Sequence, residues 1–205
     1  MPQQPPSQPG FVTTALDPRV LSTPFQRHTR WHVITGTICC GKTTLINRLA
    51  DLGYLTAPEV ARGYVERELV RGRTLSEIRE DRAAFCRKVK DLTLDFEPAL
   101  PAEQPIFFDR ALPDCLSFYR FAGLDPNEIL HECFRNRYAS VFHLDPFEYE
   151  EDGVRVEGDA ASVFLDEWVE RDYAALGYTV VRVPVMPTDE RLAFVLEALQ
   201  APGLL

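Results

Sequence analysis

The sequence predicts an α/β domain: a five-stranded parallel sheet between two layers of helices. Three observations point to it. Five short apolar runs alternate with stretches of helical period, and a glycine-bearing loop joins the first run to the first helix. The length, 205 residues, suits one such domain and is short for two. Hydrophobic residues make up 45% of the chain, enough for a packed core.

The elements follow in chain order. Residues 1–29 are rich in Pro, Gln, Ser and Thr and have no apolar period, so they read as a flexible tail, with a transit peptide as the alternative. The folded domain is expected over 30–205. Trp31 to Thr35 is a short strand running into Gly36. Lys42 to Leu52 is a helix with Leu45, Ile46 and Leu49 on one face, stopped by Gly53. Tyr54 to Ala57 is a second strand, ended by Pro58-Glu59, and Val60 to Arg71 a second helix. Ser76 to about Leu100 reads as one long helix with an approximate capping box at Ser76. Pro105 to Asp109 is a third strand, apolar enough to be buried on both faces. Leu112 to Phe121 and Pro126 to Arg135 are short helices, and Ser140 to Leu144 a fourth strand. An acidic loop over 147–158 precedes a helix over 160–176. Tyr178 to Val183 is the fifth strand, and a last helix starts with Thr188 as its N-cap.

Charge and cysteine content narrow the function classes. Net charge is −9, and residues 145–172 carry all of it, with eleven acids against Arg155 and Arg171. Without a basic stripe, nucleic acid is a poor partner. No apolar run reaches the roughly 18 residues of a membrane span, and no signal-peptide stretch opens the chain. Five cysteines without a CxxC pair indicate neither a disulfide framework nor a zinc site. A soluble protein of the cytoplasm is the expectation.

The strongest motif is Gly36-Thr37-Ile38-Cys39-Cys40-Gly41-Lys42-Thr43, a full GxxxxGK[ST] match between a strand and a helix. Backbone N–H groups of such a P-loop wrap phosphates, and the helix N-terminus adds a favourable dipole. Lys42 would reach the β- and γ-phosphates of ATP, and Thr43 would ligate Mg²⁺. Ile38, Cys39 and Cys40 are bulkier than the usual residues of such a loop. The cysteines are either small fillers or oxidisable thiols at a helix N-terminus.

The strand before Asp109 has the Walker B pattern. Asp109 would hold Mg²⁺ through water or accept a proton from an acceptor hydroxyl. Arg110 beside it would neutralise a transferring phosphoryl group or hold the acceptor, unless the two simply pair. Glu59 and Arg62, at i and i+3, share a helix face beyond the second strand. In open parallel sheets ligands bind at the carboxyl ends of strands, so Glu59 and Asp109 are expected at one edge, one serving the metal and the other the acceptor. Arg155, the one basic residue of the acidic loop, either closes over the triphosphate or pairs with Glu151 or Glu157. Arg135 and Arg137 are weaker alternatives for that task. His32 and His143, in or beside strands, read as structural.

Four segments together carry a resemblance. They are Gly36 to Thr44, Pro58-Glu59-Val60-Ala61-Arg62, Phe108-Asp109-Arg110-x-x-Pro113-Asp114, and Tyr173 to Pro184. They resemble the AAA-domain group of predicted P-loop ATPases, which is similar to ribosylnicotinamide kinase domains and to nucleoside and nucleotide kinases. The resemblance spans about 30–199. It implies a three-layer P-loop NTPase fold with kinase-like strand order, the Asp109 strand lying next to the P-loop strand. It does not imply a substrate; nucleotide binding is expected over Gly36 to Thr44, and acceptor binding by Glu59, Arg62, Arg110 and Asp114. No arginine-finger or sensor motif of hexameric motors is visible. Two function classes follow: a Mg²⁺- and ATP-dependent kinase acting on a small-molecule acceptor, or an NTPase serving as a nucleotide-dependent switch.

Overall fold

The computed structural model describes residues 10–147 and 159–200. In chain order the elements are α1 (Pro18–Leu21), β1 (Arg27–His28), β2 (Trp31–Gly36), α2 (Lys42–Asp51), β3 (Leu55–Ala57), α3 (Val60–Val70), α4 (Leu75–Arg79), α5 (Arg82–Phe96), β4 (Ile106–Asp109), α6 (Asp114–Phe121), β5 (Asn136–Arg137), β6 (Ser140–Leu144), α7 (Asp159–Ala175), β7 (Val180–Val183) and α8 (Thr188–Ala198). The main sheet has the order β3-β4-β2-β6-β7 with every pair parallel. This is the predicted α/β fold, with the Asp109 strand beside the P-loop strand.

The three inner strands, β2, β4 and β6, are buried at every residue, as expected where helices cover both faces. Alternation along each strand sorts the core into two layers. Trp31, Val33, Ile106, Phe108 and Val141 face one way, into a cluster with Leu116, Val169 and Tyr173 from α6 and α7. Ile34, Phe107 and Phe142 face the other way, against Leu45 and Leu49 of α2 and Val195 of α8. The edge strands are shorter or less buried: β3 has three residues, and only Ala57 of them is buried.

The structure corrects several expectations. The long helix expected from Ser76 is two helices. Thr74, not Ser76, caps the first, in a reciprocal capping box with Glu77, and Asp81 caps the second by accepting from the Ala84 N–H at 2.8 Å. Short polar side chains that bond the backbone end one helix and start the next. The region 126–134 holds 3₁₀ turns instead of an α-helix. Thr188 is the first residue of α8, and Pro187 occupies the N-cap without a side-chain bond.

The largest correction concerns the flexible tail. From Gly10 onward the segment lies against the domain. Phe11 stacks on Phe164 at 4.3 Å and on Phe121 at 5.4 Å, and Leu16 is buried. Val12 N–H bonds Arg120 O at 3.0 Å, and β1 pairs in parallel with β5. Low hydrophobicity predicted disorder, but a few anchors and long-range backbone pairing suffice to fix the segment.

Candidate active site

The P-loop turns on two glycines. Gly36 has φ 134°, and a Cβ there would lie 2.6 Å from Leu144 O, so no side chain fits. Gly41, at φ 90°, is the N-cap of α2, and a Cβ would press on Arg191 and Phe147. Cys39 also takes a left-handed φ of 63°, which is unusual for a residue with a side chain. Ile38 stands 63% exposed at the loop tip, Thr44 is exposed, and Cys40 is buried, its Sγ donating to Thr37 O at 3.2 Å. The ammonium of Lys42 folds back on the loop, donating to Thr37 O, with Cys40 Sγ at 3.5 Å. Burial, with Arg110 nearby, pushes its pKa down.

The end of β4 faces this loop. Thr43 Oγ1 donates to Asp109 Oδ2 at 2.8 Å. The other oxygen, Asp109 Oδ1, is buried and has no partner. Burial and the nearby Glu59 raise the Asp109 pKa, overcoming the Thr43 bond and the two cations. A buried carboxylate oxygen without a partner, next to a P-loop hydroxyl, is a hard oxygen donor set that would suit Mg²⁺.

Arg110 has a left-handed φ of 66°. That turn brings its guanidinium 3.4 Å from Glu59, 3.1 Å from Asp114 and over the Phe118 ring at 4.9 Å. Its Nε is close to Glu59 but lacks hydrogen-bond geometry and is otherwise unpartnered. Glu59 sits at the N-cap position of α3 without capping it, and Arg62 lies 3.8 Å away and half exposed.

Asp114 is 2% exposed and its oxygens are fully engaged. Oδ1 accepts from Thr35 and Arg110, and Oδ2 from Ala111 N–H at 3.0 Å and Tyr173 Oη at 2.7 Å. Such a carboxylate positions Arg110 and has no oxygen to offer an acceptor, unlike the role expected of it.

These groups meet at the inner end of a cavity of about 890 Å³ that runs from Ile38 between α3, α5 and α6. Arg155 lies outside the described residues. Arg135 pairs with Glu132, and Arg137 donates to Leu176 O and Gly177 O, so neither reaches the site. His32 bonds Ser140, and His143 bonds Asp166.

One site residue has no counterpart in the sequence reading. Arg191 of α8 is 3% exposed and donates to Cys40 O, to Pro184 O at 3.0 Å and to Asp145 O at 3.2 Å, with Phe147 stacked on it. It ties the P-loop to the ends of β6 and β7. The one available signal is an arginine at i−4 from Val195, on the apolar face of the predicted last helix.

Known proteins share this fold. The chain is similar to a NadR protein in complex with NR (22% identity, TM-score 0.61), covering 84% of this chain and 51% of that one, so it spans about half the length of the NadR chain. It is similar to deoxyadenosine kinase from M. mycoides (14% identity, TM-score 0.56; 83% and 98% covered). It is also similar to shikimate kinase from Acinetobacter baumannii in complex with shikimate (16% identity, TM-score 0.55; 91% and 99% covered). At these identities the likeness is one of fold. No curated protein matches. The family described as "AAA domain" matches residues 31–191, which include the P-loop, the Asp109 strand and Arg191; the chain belongs to that family and has a P-loop kinase-like fold.

Proposed function

We propose that the protein is a Mg²⁺-dependent phosphotransferase that moves the γ-phosphoryl group of ATP to a small-molecule acceptor. The observation that carries this reading is the inner end of the cavity. There the buried Asp109, the nearly buried Arg110 and the part-exposed Glu59 stand beside the P-loop, with Asp109 Oδ1 unpartnered and Arg110 Nε without a hydrogen bond, held only by the ion pair to Glu59. Nucleotide binding alone does not require a second carboxylate, a buried arginine and a large cavity past the γ-phosphate position.

The residues divide the work. Amides of Gly36 to Thr44 cradle the phosphates, and Lys42 swings from Thr37 O to the β,γ-bridge. Thr43 and Asp109 would hold Mg²⁺, which offsets charge on the phosphates when bound. Glu59 or Asp109 takes the proton of the acceptor hydroxyl. Arg110, held by Asp114, faces the equatorial oxygens of the transferring group. Arg62 supports Glu59 at the rim. Arg191 keeps the loop in its wrapped form by holding Cys40 O.

The test separates transfer from hydrolysis. Glu59→Gln keeps shape and removes charge. It should cut phosphoryl transfer to the acceptor by about 10²-fold while sparing slow ATP hydrolysis, read as phosphate ester and as inorganic phosphate respectively. Equal loss of both would remove Glu59 from the acceptor side and leave Asp109 as the base.

A further inference from the structure

The wall of the cavity, on the reading just given, also speaks to what fills it. Its inner surface is mostly aromatic and branched aliphatic: Val65, Phe85, Val89, Phe96, Phe108 and Phe118 all face it. Three of the buried polar side chains along that wall, Glu97, Thr93 and Asp114, are already satisfied. Glu97 accepts from Leu112 N–H at 3.2 Å, Asn136 Nδ2 at 2.8 Å and Tyr138 Oη at 2.7 Å. Thr93 donates to Val89 O at 2.9 Å. Asp114 is engaged as described. Arg82 donates to Phe121 O at 3.3 Å and covers the Phe121 ring at 4.3 Å. Among the described lining residues, the buried side-chain atoms without hydrogen bonds are Asp109 Oδ1 and Arg110 Nε, both at the P-loop end. Exposed Arg62, Glu66 and Arg79 mark the mouth.

An occupant therefore meets polar partners at the reacting end and apolar contact along its body. We infer that the acceptor is an alcohol whose one buried hydroxyl sits on an apolar, ring-bearing body, and that polyols such as sugars and nucleosides are poor acceptors. Each further hydroxyl carried against the aromatic and aliphatic part of this wall loses its water and gains no partner there, which weakens binding by roughly 5- to 150-fold. The volume, near the upper end of the roughly 300–1,000 Å³ typical of small-molecule sites, leaves room for more than one ring. In the reaction the alcohol oxygen forms a bond to the γ-phosphorus. The bond from that phosphorus to the β,γ-bridging oxygen breaks, its electron pair leaves on ADP, and the hydroxyl proton passes to Glu59 or Asp109. The products are a phosphate monoester, ADP and the protonated carboxyl.

The experiment uses the full chain with ATP and Mg²⁺ and follows phosphate monoester by ³¹P NMR and mass spectrometry. The acceptors are 3-phenylpropanol and 2-naphthaleneethanol on one side, and adenosine, cytidine and glucose on the other. The expected result is a kcat/KM at least about 10-fold higher for the ring-bearing alcohols than for any polyol. Equal or better transfer to a nucleoside or sugar overturns the acceptor class and leaves the kinase reading standing. ATP hydrolysis without any monoester overturns the kinase reading, and this inference with it. Val89→Thr, of nearly the same shape, adds one hydroxyl to the wall. With the fold verified by its unfolding midpoint, it should narrow the alcohol-to-polyol ratio by about 5-fold, and an unchanged ratio overturns the proposed contact.

Discussion

Two buried arginine–carboxylate clusters flank the same helix, α6, and they end very differently. At its C-terminal end Arg120 is 1% exposed, and each part of its guanidinium is used. Nε and Nη2 bond Asp172 at 2.9–3.2 Å, and Nη1 bonds Thr14 O at 2.6 Å. Ser117 bonds the same carboxylate at 2.9 Å, and Trp168 stacks on the arginine at 4.1 Å. At the N-terminal end Asp109 is buried, Arg110 nearly so and Glu59 part exposed, yet Asp109 Oδ1 lacks a partner and Arg110 Nε lacks a hydrogen bond. Proteins rarely leave buried polar atoms unpaired, because each costs about 1–3 kcal/mol. A closed cluster holds a fold together, and an open one is where the proposed function places its ligands.

Four substitutions test that contrast, from the largest expected effect to the smallest. Asp172→Ala strands a buried guanidinium, so denaturant unfolding should show a loss of about 3–5 kcal/mol, with turnover per folded molecule unchanged. Asp109→Asn should do the reverse. Turnover should fall by about 10²-fold, or about 2.7 kcal/mol of barrier, with partial rescue at high Mg²⁺. Its unfolding midpoint at neutral pH should hold or rise, since the raised pKa of Asp109 means the fold disfavours its charge. Phe11→Ala removes the ring stacked on Phe121 and Phe164 and should cost about 1–2 kcal/mol of stability. No such loss would mean the N-terminal segment does not brace the closed cluster. Arg62→Ala should shift stability by about 0.5 kcal/mol or less, the value of an exposed pair. A transfer defect matching that of Glu59→Gln would promote Arg62 from the rim to the site.

What could be read in advance follows the range of the interactions. The inner strands were legible because they are short apolar runs, and the P-loop because its chemistry is local, eight residues between a strand and a helix. The nearness of Asp109 to Thr43, in the helix after the P-loop strand, followed from the strand adjacency that the resemblance implied. Asp114 was named for the wrong task, because its satisfaction depends on Thr35 and Tyr173, 79 and 59 residues away. Arg191 was missed for the same reason: the carbonyls it holds come from three separate loops. The order of residues 10–29 was missed because composition records average hydrophobicity and not the few anchors that matter. Thr74 and Asp81 obey simple capping rules, and a continuous apolar stripe concealed them.

The parallel pairing of β1 with β5 has a consequence for synthesis. Arg27 bonds a side chain 109 residues downstream, and Asp17 one 110 residues downstream. At about 5–20 residues per second on the ribosome, the segment waits roughly 5–20 s before its partners exist. It is made early and docks late. Until then the ring of Phe11 and the side chain of Leu16 are exposed on a nascent chain, open to a chaperone.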